Sequence, residues 1–149
     1  MTAPDWDKWH FLLGEWIGEG GGEPGQGQGS QVFHLDLQGQ VLLRKNHVDF
    51  PAITDRPAFS HDDLTVVYPA PAGDLRAIYF DNEGHVTTYA VKTEPGAIVM
   101  ISDLEPNAPR FRTTFLEGKS GTLLNRFEIA PPTDPDAFEL YVEGTSIRR

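Results

Sequence analysis

Histidines and carboxylates recur together along this sequence, and both residue types can bind metal ions or move protons. The sets along the chain are His47 with Asp49, His61 with Asp62 and Asp63, and His85 with Asp81. They indicate either a metal or acid–base site, or a solvated rim in which the histidines form hydrogen bonds with the backbone of turns. No two histidines stand at i and i+2, so the spacing does not specify a metal site and we predict none.

Two other motifs resemble catalytic or phosphate-binding motifs, but the neighbouring sequence argues against either role. Ser60-His61-Asp62 has the residue types of a catalytic triad, but adjacent strand residues face opposite sides of a sheet. The glycine-rich residues 20–29 suggest a phosphate loop, which needs a following helix and usually a lysine. Here a strand follows and the segment carries Glu23. We predict a mobile loop, acting either as a lid over a cavity or as a passive linker.

Tyrosines and arginines on the strands are candidates for orienting a ligand. Tyr79, Tyr89 and Tyr141 could place hydroxyls in a cavity, or could pack in a wall with the hydroxyl at its rim. Arg44 is a candidate buried charge that would need an anion beside it, and it is equally consistent with facing solvent. The predicted binding candidates, in a cavity or at its mouth, are Arg44, His47, His61, Tyr79, His85, Tyr89, Arg112 and Tyr141.

Many short strands must position these residues. Glycines and prolines fall between runs rich in β-branched and aromatic residues. Asp5 and the apolar spacing of Trp6, Trp9, Leu12 and Leu13 predict one short N-terminal helix that ends at Gly14. Strands are predicted at about 15–20, 30–37, 40–50, 61–69, 74–81, 85–93, 97–102, 109–117, 122–129 and 136–148.

Ten strands with short connections predict an up-and-down antiparallel barrel, which removes the exposed edges of a flat sheet. One all-β domain over residues 1–149 is expected, and a barrel of this size tends to hold a cavity. In a meander the longer connections, at 20–29, 51–60, 103–108 and 130–135, fall at one end together with the turn at 82–84. We predict the cavity mouth at that end.

Composition narrows the function classes. The chain has 149 residues, no cysteine and a formal net charge of -10. This acidity argues against nucleic acid and anionic membrane surfaces as partners. No apolar run approaches the ~20 residues of a membrane-spanning helix, and the acidic N-terminus does not look like a signal peptide. A cytoplasmic protein is therefore expected, consistent with the absence of cysteine.

The N-terminal segment carries a family resemblance. Trp9, the run Phe11-Leu12-Leu13-Gly14-Glu15-Trp16 and the following Gly18-Glu19-Gly20 resemble the start of the calycin barrels, which include lipocalins, fatty-acid-binding proteins and nitrobindins. The closest in length and opening are small bacterial lipocalin-like proteins. The resemblance implies that Trp16 plugs one barrel end, with Arg148 (or Arg149) packed on it, in a structural role.

Two calycin binding patterns are missing. Nitrobindins hold haem through a histidine in the last strands, but no histidine follows His85. His34, His47 or His85 would have to substitute. Fatty-acid-binding proteins hold a carboxylate with Arg-x-Tyr, whereas this chain reads Glu139-Leu140-Tyr141-Val142. Arg110, Arg112 or Arg126 could serve instead, and nothing in the sequence singles one out.

These observations favour a binding or carrier protein that holds a small hydrophobic ligand, with or without a carboxylate, and needs no cofactor. The alternatives are a small lipocalin-fold lyase or isomerase with acid–base groups at the mouth, and a nitrobindin-like haem protein. A further alternative is an interaction domain whose barrel is filled by its own side chains. The sequence leaves the oligomeric state open, a homodimer included.

Overall fold

Ten strands account for most of the chain in a computed structural model that describes residues 2–22 and 26–149. Most form where apolar or aromatic residues alternate with polar ones, and most end at glycine- or proline-containing turns. The strands are β1 (Gly14–Gly22), β2 (Gly27–Asp36), β3 (Val41–Phe50), β4 (Phe59–Pro69), β5 (Leu75–Asp81), β6 (Val86–Glu94), β7 (Ala97–Ser102), β8 (Arg110–Glu117), β9 (Leu123–Ala130) and β10 (Glu139–Arg148).

Every strand pairs antiparallel with its neighbours in sequence, and the first pairs with the last. The register from Trp16↔Arg148 to Gly22↔Val142 joins β1 to β10 and closes the sheet into a barrel. Closure leaves no unpaired edge among these ten strands. The predicted all-β, ten-stranded, up-and-down antiparallel barrel is confirmed.

The glycine-rich segment differs from its prediction. β1 extends to Gly22 and β2 begins at Gly27, so the predicted loop over residues 20–29 is wrong in extent. Its centre, residues 23–25, lies outside the described residues. Glycine has a low intrinsic preference for strands. Here pairing with β10 and β3 satisfies the backbone of both segments and overrides that preference.

The short N-terminal helix is present, but it is a 3₁₀ helix over Asp7–Leu12. The Asp5 carboxylate accepts a hydrogen bond from the Asp7 backbone N–H at 2.9 Å. Trp9 and Leu12 are buried, and the Trp6 indole N–H donates to the Gly39 carbonyl at 2.8 Å. That bond fixes the helix against the turn between β2 and β3, so the helix covers one end of the barrel.

The main apolar core lies just inside this covered end. It includes Trp9, Trp16, Phe33, Leu42 and Phe115, all at most 2% exposed. The tight connections β2–β3, β4–β5, β6–β7 and β8–β9 lie at this end. The connections at the opposite end include the longer segments 51–58, 103–109 and 131–138. Among the described residues, no helix is long and apolar enough to cross a membrane.

Candidate functional site

A cavity of about 430 Å³ occupies the barrel above the core and reaches the end opposite the helix. This volume falls within the usual range for small-molecule sites. The inward side chains of β8–β10 are largely apolar or aromatic, whereas those of β2–β6 include most of the polar groups. The cavity therefore has an aromatic wall, a polar wall and a polar floor.

The aromatic wall is formed by rings that contact one another. Phe111 and Phe127 stack with their centroids 5.6 Å apart, and Tyr141 meets Phe127 edge-on at 6.0 Å. Phe50 and Phe59, at the ends of β3 and β4, stack at 4.8 Å near the mouth. Such rings offer a large apolar contact surface with a partly negative face.

A third side of the cavity is almost bare backbone. It is lined by glycines on the adjacent strands β10, β1 and β2, namely Gly18, Gly20, Gly27, Gly29 and Gly144. Because glycine has no Cβ, a ligand can approach the sheet closely here. Sequence reasoning missed these residues. The signal was available in the alternation Gly18-x-Gly20 and Gly27-x-Gly29, since residues at i and i+2 share a face.

Arg44 forms the polar floor together with two amide side chains. Its Nε donates to Gln31 Oε1 at 2.8 Å, its Nη1 donates to Asp63 Oδ1 at 2.7 Å, and Gln31 in turn donates to Asn125 at 3.0 Å. Its guanidinium also lies 5.2 Å from the Phe115 ring centroid. A buried arginine needs such an anion, and the adjacent strand β4 supplies Asp63, two residues from the register partner of Arg44, Thr65.

Asp63 connects the floor to the polar wall. Besides the bond from Arg44, it accepts one from Asn46 at 2.9 Å and lies 3.1 Å from His61 Nε2. Burial disfavours its charged form, but the positive charge of Arg44 and the bonds from His61 and Asn46 outweigh this, so its pKa is lowered. The carboxylate is therefore ionised and already satisfied within the barrel.

The polar wall continues from His61 to Tyr79 and Asp81. The Tyr79 hydroxyl lies 3.2 Å from His61 Nε2 and donates to Asp81 Oδ2 at 3.0 Å. The hydrogen bond to Asp63 raises the pKa of His61 against the opposing effect of burial. Burial and the nearby Asp63 and Asp81 raise the pKa of Tyr79, and burial raises the pKa of Tyr89 to about 12. Both tyrosines therefore stay protonated near neutral pH.

At the mouth, the β5–β6 turn brings Asp81, Glu83 and His85 together. Asp81 Oδ1 accepts the backbone N–H groups of Glu83 and His85, each at 3.0 Å, and Oδ2 lies 2.9 Å from His85 Nδ1. One potential ligand atom from each residue lies within 4.8 Å of the others, as a metal site requires. The Asp81 oxygens, however, are already engaged in holding the turn, which explains the cluster without an ion.

Most of the sequence-predicted binding candidates line this cavity. They are Arg44, His61, Tyr79, His85, Tyr89 and Tyr141. His47 and Arg112 do not, because strand alternation turns them to the outer face. His47 lies 2.6 Å from Asp62 and 3.0 Å from Asp49 there, and Arg112 makes a bidentate pair with Glu128 at 2.9 and 2.8 Å. His47 and Arg112 were predicted in the cavity or at its mouth, and in the structure neither side chain lines the cavity.

The structure also shows where the residues of the triad-like motif and the histidines considered for haem lie. The Ser60 hydroxyl donates to Asp49 rather than to a histidine, so Ser60, His61 and Asp62 form no triad. Among the histidines considered for haem, His34 is exposed on β2 and His47 faces outward. His85 lines the cavity, with its Nδ1 2.9 Å from Asp81 Oδ2.

At the covered end, the structure brings Trp16 and Arg148 together. The Arg148 guanidinium lies 4.3 Å from the centroid of the Trp16 ring and donates to the carbonyls of Leu13 and Phe11. The Trp16 indole donates to the Leu12 carbonyl at 2.8 Å. These contacts join β1 and β10 to the helix, and they lie apart from the cavity.

No family model matches the sequence, and no match was found among the curated proteins. The function must therefore be argued from the chemistry of the cavity.

Proposed function

We propose that this protein binds or carries a small amphipathic molecule inside the barrel. The main support for this proposal is the cavity of about 430 Å³, which opens at the mouth of the barrel. It has an aromatic wall on one side and a hydrogen-bonded polar wall on the other. A ligand with an apolar body and a polar group would match both walls. The glycines of β10, β1 and β2 add no side chains of their own to this space.

Other features support this proposal. The closed barrel with its N-terminal helix, and the pairing of Trp16 with Arg148, resemble the calycin barrels, many of which bind small molecules. A cavity also argues against a barrel filled by its own side chains. The absence of cysteine suits a reducing compartment, so we propose a cytoplasmic protein.

Native mass spectrometry of the purified protein tests for a retained ligand and reports the oligomeric state.

Titration with 1-naphthylmethanol, an uncharged aromatic probe, tests the empty cavity directly. We expect Val48→Trp, which fills the cavity mouth, to abolish probe binding. Val86→Trp is the matched control, since Val86 on β6 is 62% exposed and does not line the cavity. Equal binding by both variants, or no binding by the wild type, would contradict the proposal.

The cavity-facing hydrogen bond between His61 and Asp63 favours a second candidate, an enzyme that moves a proton within its ligand. A histidine held by a carboxylate, with the Tyr79 hydroxyl beside it, has the elements of a general acid–base site. Such a group could support isomerisation or elimination. The test is conversion of a retained ligand, followed by mass for an elimination and by chromatography with NMR for an isomerisation. His61→Gln should stop conversion while binding persists, and a ligand recovered unchanged from the wild type would exclude this candidate.

A further inference from the structure

We propose that the ligand is a cation, carrying a protonated amine that donates to Glu83, close to the buried and already hydrogen-bonded charge of Asp81, while its body packs on the aromatic wall. We call Asp81 and Glu83 the carboxylate edge. This inference rests on the proposed function and specifies the charge of the ligand. It follows from how the charges inside the cavity and around its mouth are already paired.

The buried cation of the cavity is unavailable to an anion. Arg44 is bound to Asp63 at 2.7 Å and to Gln31 at 2.8 Å, and its side chain is 10% exposed. A ligand carboxylate would have to displace Asp63, whose own side chain is 5% exposed, and leave that charge without its partner. Breaking a buried ion pair in this way is unfavourable. The floor therefore presents a neutral, hydrogen-bonded surface.

With Arg44 and Asp63 balanced, the carboxylate edge sets the charge that a ligand meets. Glu83 is half exposed, and its oxygens lie 3.6 Å from His61 Nδ1 and 3.8 Å from His85 Nδ1. These separations are longer than hydrogen bonds. Glu83 can therefore accept a donor from a ligand. When the two histidines are neutral, Asp81 and Glu83 give this side of the cavity two negative charges, and one negative charge remains when His61 alone is protonated.

The aromatic wall suits the same ligand. The faces of Phe111, Phe127 and Tyr141 carry negative electrostatic potential, which suits a cationic ligand as well as an apolar body. A ligand that spans the cavity can therefore place its amine at the carboxylate edge and its body on the rings of β8–β10. A ligand carboxylate at the carboxylate edge would be repelled.

The loops at the mouth extend the negative charge outward. Their described segments 51–58, 82–85, 103–109 and 131–138 carry the acidic residues Asp55, Glu83, Asp103, Glu105, Asp134 and Asp136, against Arg56. Asp103 and Asp136 are paired with Arg76 and Arg110. At the covered end the turns carry Asp74 and Lys119, and the N-terminal segment and the end of β10 add Asp5, Asp7, Lys8, Arg148 and Arg149, so acidic and basic residues occur there in comparable numbers. Such an asymmetric field concentrates cations at the mouth.

A matched set of probes separates charge from cavity filling. The full chain is titrated calorimetrically with 1-naphthylmethylamine, 1-naphthylmethanol and 1-naphthoate at about pH 7.5, where the alkyl amine is protonated and the carboxylate ionised. We expect the amine to bind most tightly and the carboxylate most weakly. Tightest binding of the carboxylate, or equal binding of all the probes, would overturn the inference while leaving the proposed function intact. Failure of every probe to bind would overturn both.

Glu83→Gln tests the carboxylate edge itself. Because Glu83 is half exposed, we expect the amine to lose about two- to five-fold in affinity, the range of a solvated charge pair, while the alcohol is unchanged. Glu94→Gln is the control, since it removes the same charge from an exposed site on β6 at the covered end. An amine affinity that Glu83→Gln leaves unchanged, or that both variants lower equally, would overturn the assignment.

Discussion

His61 is the titratable side chain that joins the buried and open parts of the polar wall. The groups that face it are Asp63, Tyr79, Asp81 and Glu83. Asp63 is nearest, and behind it Arg44 keeps that carboxylate ionised. The protonated ring thus has carboxylates near both nitrogens, which is why its pKa is raised in the fold.

This shift gives a pH dependence of stability with a definite sign. A histidine whose pKa is higher in the folded state stabilises the fold fully below its unfolded value near 6.5, and this stabilisation is lost as pH rises through the folded value. We expect the difference in unfolding free energy between wild type and His61→Gln to shrink between about pH 6 and about pH 9. Urea unfolding across this range measures it, and a difference that grows with pH would contradict the assignment.

Arg44 and Asp63 make a second prediction at the residue scale. Arg44→Met leaves the Asp63 charge buried without its partner, at an expected cost of about 3–5 kcal/mol in unfolding free energy. Arg44→Met combined with Asp63→Asn should recover a large part of that loss. Arg126→Met is the control, because Arg126 and Glu143 are 41% and 36% exposed and their pair should contribute about 0–1 kcal/mol. Similar losses for Arg44→Met and Arg126→Met in urea unfolding would refute the argument.

At the scale of elements, the hairpin of β1 and β2 is built from glycines that face the cavity. The space beside them differs from one position to the next. A Cβ at Gly29 would lie 2.4 Å from the His47 carbonyl oxygen of the neighbouring strand, whereas one at Gly144 would lie 3.4 Å from its nearest neighbour, the Glu19 carbonyl oxygen. Glycine is therefore required at position 29 on β2, whereas position 144 on the adjacent strand β10 has room for a Cβ.

Substitution with alanine measures that difference. Gly29→Ala should destabilise the barrel by about 1–3 kcal/mol, because the β3 backbone must move away. Gly144→Ala should stay within about 1 kcal/mol of wild type, since the contact is ordinary and a less flexible unfolded chain offsets it. Thermal or urea unfolding of both variants decides the matter. Equal losses would mean that strand propensity, and not the close approach of β3, explains the glycine.

The covered end offers a test of how the helix is attached to the sheet. Arg148→Ala removes the ring contact to Trp16 and the hydrogen bonds to the Leu13 and Phe11 carbonyls, and should cost about 1–2 kcal/mol. Arg149→Ala is the matched control, because Arg149 contacts β1 through its backbone N–H, which donates to the Glu15 carbonyl at 3.0 Å. Comparable stability of the two variants in urea unfolding would argue against an anchoring role for the Arg148 side chain.

On the scale of the whole molecule, charge is distributed unevenly between the barrel ends. If the acidic mouth loops attract a cation over distance, added salt should weaken the attraction, since the Debye length falls from about 30 Å at 0.01 M to about 8 Å at 0.15 M. Binding of 1-naphthylmethylamine should weaken across this range, while binding of 1-naphthylmethanol should not. Parallel titrations at both salt concentrations test this, and equal salt sensitivity would contradict steering by charge.

Strand alternation and turn chemistry identify the architecture from sequence because both are local signals. Runs such as Val41–Phe50 and Leu123–Ala130, each preceded by a glycine-containing turn and followed by a proline-containing segment, leave few arrangements other than an antiparallel meander. The glycine-rich segment was assigned incorrectly because a sequence shows a glycine's weak preference but not its partner strand. Pairing with β10 and β3 supplied the missing hydrogen bonds.

The sequence by itself determined the number and order of the strands, the covered end, and the set of polar residues from which a site could be built. Only the tertiary structure decided which of them meet. On β3 both faces carry polar groups, so alternation alone could not tell whether Arg44 or His47 faced inward. The register of β3 and β4 places Asp63 diagonally beside Arg44 inside the barrel and Asp62 opposite His47 outside it. A charge can be buried only where another strand supplies its partner, and that partner is fixed by the register of the sheet.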